Sequence, residues 1–158
     1  MMETLTAFQW MERYIKNPEG ELDGFWDSGI PIWVDWRDYD EWIVQGVCER
    51  LPASARFRYE IRDSVLPRGS DILLGRDGAL TAIPYAPDRM DRDTTLKAVQ
   101  AQLDPDWQLR CFVYSMADDT VGFCLLSAAE WRELEAAFGP RTVARHFRPI
   151  GPKSRIFG

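Results

Sequence analysis

Histidine is almost missing from this chain of 158 residues, which holds only His146. A zinc site needs several nitrogen and sulfur ligands at compatible spacing, and one histidine with Cys48, Cys111 and Cys124 scattered through apolar stretches does not supply them. No two cysteines form a Cys-x-x-Cys pair and their number is odd, so they are expected as reduced core residues in a cytoplasmic compartment. Neither glycine-rich phosphate fingerprint is present, which removes the usual sequence support for a nucleotide site. No apolar run approaches the roughly eighteen residues of a membrane span. The opening Met-Met-Glu-Thr-Leu-Thr lacks the cationic and apolar segments of a secretory signal.

Residues that could be mistaken for chemistry have plainer readings. Ser127 heads Ser-Ala-Ala-Glu130, the spacing of a helix capping box, so it is read as a cap and not a nucleophile. Asp118-Asp119 reads as a solvated turn. Asp88, Asp91 and Asp93 with Arg89 and Arg92 make a charged loop short of the six or more ordered oxygens that calcium takes. The expectation is therefore no catalytic residue, no metal and no cofactor, with an enzyme of unknown type kept as a further alternative.

The first part of the chain is short of positive charge. Residues 1–50 hold eleven acids and four bases, whereas residues 51–158 hold fourteen and fifteen; residues 19–42 alone carry eight acids against Arg37. Only residues 141–158 reverse the trend, with five bases and no acid. With a net charge of −6 the chain lacks the clustered Lys and Arg that phosphate backbones require, which argues against nucleic acid as a partner.

At 46% hydrophobic and 28% charged, the chain has the composition of a globular protein long enough to bury a core without staples. Helical spacing of Leu5, Phe8, Met11, Tyr14 and Ile15 predicts a helix over residues 4–16, ended by Asn17-Pro18-Glu19-Gly20 and followed by loop. Alternation over residues 30–36 predicts a strand, at an edge because of Pro31. Asp38 or Asp40 is expected to cap a helix reaching Leu51, and residues 56–63 read as a strand with Phe57, Tyr59 and Ile61 inward. Gly75-Arg76-Asp77-Gly78 predicts a hairpin, Asp93 is expected to cap a helix over residues 94–103, and residues 108–116 and 121–126 form a second hairpin. A helix after Ser127 stops at Gly139-Pro140, and residues 142–148 read as a last strand. The sum is an α+β fold: one domain over residues 1–150, a mostly antiparallel sheet with two hairpins and about four helices mainly on one face, and a mobile basic tail over residues 151–158.

Five of the seven tryptophans lie in the first 42 residues, and Trp26, Trp33, Trp36 and Trp42 are interleaved with acids. If Ile32, Val34 and Trp36 point inward, Trp33 and Asp35 point outward. Aromatic anchors in a charged rim are what protein interfaces use. The expected partner-binding residues are Asp27, Trp33, Asp35, Asp38, Asp40 and Glu41. The expected function is that of a small acidic protein-binding domain, such as a bacterial immunity-type inhibitor of a basic toxin or enzyme. The alternative is an adaptor or homodimeric domain using Trp33 and its edge strand.

Overall fold

The computed structural model describes residues 4–35 and 37–157, so Trp36 and its expected inward position lie outside the described residues. The architecture is α+β with antiparallel sheets, and its chain divides into two units.

The first unit joins the residues up to Asp35 to Pro105–Pro149. Helix α1 (Ala7–Lys16) begins on a capping box: Thr6 Oγ1 accepts from the Gln9 amide and Gln9 Oε1 from the Thr6 amide. Asn17 does not simply end it. Its side chain accepts from the Gly20 amide and Pro18 takes the first helical position, so a second helix, α2 (Pro18–Trp26), forms where loop was expected. Glu19 and Glu21 sit in the first turn of α2, where the helix dipole favours negative charge.

Strands β1 (Ile32–Asp35), β5 (Trp107–Phe112), β6 (Thr120–Ser127) and β7 (Phe147–Pro149) form a sheet of order β1-β6-β5-β7, which leaves β1 at an edge as Pro31 suggested. The β5–β6 pair is the expected second hairpin, shortened because residues Val113–Ala117 coil into a 3₁₀ turn. Ser115 fixes that turn by donating to the Phe112 carbonyl and accepting from the Gly122 amide. Helix α5 (Ala128–Phe138) starts on the expected Ser127–Glu130 capping box. Residues 142–148, expected as a strand, instead continue through α6 (Pro140–His146) into the short β7, because Gly139 at φ 90° turns the chain and Pro140 starts a new helix.

The helices cover one sheet face around Met11, Tyr14, Phe25, Phe112, Leu126, Trp131 and Phe147, all buried. Arg110 is buried with them, its guanidinium 4.3 Å from the Trp131 ring centroid and 3.7 Å from Glu135. Cys111 and Cys124 are fully buried and unbridged, and burial pushes the Cys111 thiol up to about 12.

The second unit comprises residues 37–104 and 150–157. Its sheet has the order β2-β3-β4, from β2 (Arg58–Asp63), β3 (Ser70–Gly75) and β4 (Thr81–Ala82). The expected β3–β4 hairpin is present, with Asp77 at φ 55° and Gly78 at φ 92° in its turn. Helices α3 (Asp40–Arg50) and α4 (Arg92–Leu103) bury Ile43, Val44 and Val47 and Leu96, Val99 and Leu103. The α4 cap is Asp91, whose carboxylate accepts from the Thr94 amide; the expected cap, Asp93, accepts from the amides of Ile156 and Phe157.

One expectation for β2 fails in an informative way. Tyr59 and Ile61 stand opposite Leu74 and Ile72, so they point to the same face as those buried residues, yet every residue of β2 is exposed. Alternation sets the direction of a side chain, whereas cover depends on position in the sheet, and β2 is an edge.

The turn after β3 makes the first test. A Cβ on Gly75 would lie 1.8 Å from the Ala79 carbonyl oxygen, whereas one on Gly69, at φ +84°, would meet open space. Gly75→Ala should therefore lower stability by about 3 kcal/mol, and Gly69→Ala by about 1 kcal/mol, read from urea denaturation midpoints.

Candidate functional site

The six residues singled out from the sequence do not share one environment. Asp27, at the C-cap of α2, is exposed, and Trp33 and Asp35 are half-buried on β1. Trp33 does face away from Ile32 and Val34, as alternation requires, but the Trp26 ring lies over it with centroids 4.3 Å apart. Its other neighbour is Gly122, where a Cβ would come within 2.9 Å of the indole. Trp33 is thus part of a layer of aromatic rings that Tyr114, exposed, ends on the solvent side against Trp26.

Asp38, Asp40 and Glu41 belong to the second unit. Asp40 is only 4% exposed and is the first residue of α3, not its cap; Tyr39 holds the cap position. Its carboxylate is ion-paired with Arg92, which also donates to the Asp38 carbonyl. Thr95 Oγ1 lies 2.7 Å from the Asp40 carboxylate and 2.6 Å from the Tyr85 hydroxyl. A carboxylate only accepts, so Thr95 donates its single proton to Asp40 and Tyr85 donates to Thr95. Burial pushes the Asp40 carboxyl above the usual range, while Thr95 and Arg92 pull it back. Burial also raises the Tyr85 hydroxyl, which keeps it a donor. Asp40 is therefore withdrawn from the set of surface residues: its charge is spent inside the unit, because an aspartate left unpaired there would be costly.

What this network presents at the surface had no part in the expected set. Tyr39 and Trp42 flank Asp40 and Glu41 and are 66% and 51% exposed, with ring centroids 5.4 Å apart in an edge-to-face arrangement. Trp42, Gln45 and Glu49 form the exposed stripe of α3, at helical spacing. Between this stripe and β2 run two shallow clefts. One, of about 170 Å³, is lined by Tyr39, Glu41, Ile61 and Met90; the other, of about 350 Å³, by Gln45, Glu49, Phe57 and Tyr59. Exposed Ile61 and Tyr59 thus form the strand side of a mixed seam, with Tyr39, Glu41 and Glu49 on its helical side and Arg56 in the second cleft. Sequence reasoning gave Trp42 a place in the acidic segment but not in the site; the Asp-Tyr-Asp-Glu-Trp run read as helix start was the available signal.

A separate cleft of about 390 Å³ is lined by Arg89, Lys97 and Arg155 together with Asp91 and Asp93, whose carboxylates are engaged by backbone amides. Among the described residues no group of three or more His, Cys, Asp or Glu side chains is arranged to hold a metal ion, and no helix is long and apolar enough to cross a membrane. His146 closes α6 against Tyr14, and burial lowers its pKa, with Arg145 adding to the effect.

Removing one partner of a buried ion pair leaves the other charge uncompensated. Asp40→Ala should destabilise the protein by about 3–5 kcal/mol, whereas Glu41→Lys, one residue on, should cost only about 1 kcal/mol, from reversing a charge in the first turn of α3, in the same urea titration. No protein-family model, no curated protein sequence and no solved structure matches the chain.

Proposed function

We propose that this chain is a protein-binding domain whose partner is basic, of the kind an immunity-type inhibitor takes when it neutralises a toxin or enzyme. The observation that carries the reading is the exposed, edge-to-face Tyr39–Trp42 pair beside Glu41 at the head of α3. Two large rings held against each other lose little side-chain entropy on docking and offer a large apolar area, which is why tryptophan and tyrosine dominate the energetics of interfaces. Asp40, next to Tyr39 in the chain, is fixed by its ion pair with Arg92, which anchors the backbone at the head of α3.

The sign of the partner follows from charge. The helix-side rim of the seam carries Glu41 and Glu49, with Arg56 also lining the second cleft, and the whole chain is at −6. A negative field of that kind speeds encounter with a cationic surface, and the basic active site of an enzyme acting on nucleic acid is one such surface. The adaptor reading uses the same seam and differs in outcome: an inhibitor abolishes the activity of what it binds.

Affinity capture with the purified chain, repeated with Trp42→Ala, tests both parts. The wild-type chain should retain a basic protein, inhibit it and protect cells that express it. Trp42→Ala should weaken that binding by about thirtyfold through loss of a central anchor. Glu41→Lys should slow association and flatten its salt dependence, with little change in dissociation rate. Equal binding by wild type and Trp42→Ala, or a partner without excess positive charge, would overturn the proposal.

A further inference from the structure

A second property lies in the edge of the three-stranded sheet and does not rest on the partner reading. All six residues of β2, Arg-Tyr-Glu-Ile-Arg-Asp from Arg58 to Asp63, are exposed, and among the described residues the strand pairs with β3 alone. Its outer row of backbone N–H and C=O groups is therefore open for another strand. Charged residues on an edge ordinarily discourage such pairing. Here their order does the reverse.

If a second copy of β2 extends the sheet in antiparallel fashion about a twofold axis perpendicular to it, directly opposed residues point to the same face. Residues of like parity must then oppose each other, which leaves two registers that overlap five residues of the strand. Centred on Glu60, the pairing sets Glu60 against Glu60 and Arg58 against Arg62, two kinds of like-charge contact. Centred on Ile61, it sets Ile61 against Ile61 and each Glu60 against an Arg62. Like charges directly opposite destabilise a sheet and opposite charges stabilise it, so charge alone selects the second register.

That register also suits the two faces. On one, Arg62 already donates Nε and an η nitrogen to the two carboxylate oxygens of Glu60 at 3.1 Å each, so two such pairs meeting head to tail make a ring of alternating charges. On the other, Ile61 meets Ile61 across the axis while each Tyr59 stands opposite Asp63 with the second copy's Ile61 on its diagonal, so part of the apolar surface that the monomer leaves in water is removed. We propose that the chain self-associates through β2 as an antiparallel twofold dimer centred on Ile61. Pairing of a short edge buries less than the roughly 1,200 Å² of a stable interface, so the dimer is weak and concentration-dependent.

Charge complementation provides the test. Sedimentation of the wild-type chain from low micromolar to near-millimolar concentration should show a monomer–dimer equilibrium. Glu60→Arg alone and Arg62→Glu alone should each weaken it at least about tenfold, since each makes both cross-strand pairs repulsive. An equimolar mixture of these two variants should dimerise again, because both pairs then join opposite charges. Ile61→Cys should form a disulfide-linked dimer on mild oxidation and Tyr59→Cys should not, since only residue 61 lies across the axis from itself; the native cysteines are buried and give no competing bridge. A concentration-independent monomer mass, a dimer insensitive to either charge reversal, or a mixture that stays monomeric would each overturn the proposal.

Discussion

The buried pair of Asp40 and Arg92 is the contact on which the second unit depends. Two charges taken from water are expensive, and the site offsets the cost by hydrogen-bonding the carboxylate to Thr95 and the guanidinium to the Asp38 carbonyl. Because Asp40 opens α3 and Arg92 opens α4, the pair ties the starts of both helices together, and Thr95 and Tyr85 extend the tie into the segment that follows β4. Such a network tolerates little displacement, since each member would leave another unsatisfied. Tyr39 and Trp42 stand on either side of Asp40 and Glu41 at the start of the helix that this pair anchors.

Apolar exposure in this unit has a common origin. A three-stranded sheet has two edges for one interior strand, so β3 buries Ile72 and Leu74 while its neighbour β2 leaves Ile61 and Tyr59 half in water. The outer stripe of α3 leaves Trp42 half exposed as well. Aromatic area, an open edge and carboxylates therefore collect along one seam without any departure from ordinary packing. The first unit handles its aromatic rings differently. Trp33 lies against Gly122, where the absence of a Cβ lets the indole approach the sheet, and Trp26 packs on Trp33 while meeting Phe112 edge-on.

Local signals in the sequence were reliable where a short-range physical rule decides the outcome. The Ser127–Glu130 box, the Asp77-Gly78 turn and the alternation of Ile32, Trp33 and Val34 all took the expected form, because each depends on backbone geometry within a few residues. They failed where one residue type serves opposite ends. Asn17-Pro18 was read as a helix stop, yet the same asparagine caps the helix that begins with the proline. Residues 142–148 carry apolar side chains at spacings that suit either a strand or a short helix, and Pro140 tipped them towards a helix as far as His146.

By itself the sequence determined the α+β class, the concentration of acid and tryptophan near the N-terminus and the lack of familiar catalytic motifs, since composition and local periodicity carry those directly. Only the tertiary structure decided which members of the acidic segment face solvent. Asp40 and Glu41 are adjacent and chemically alike, but Arg92, more than fifty residues away, draws one into the interior and leaves the other on the rim. Tyr59 and Ile61 alternate as core residues do, but being an edge is a property of the sheet and not of the strand. Burial depends on what arrives from elsewhere in the chain, and no local pattern encodes it.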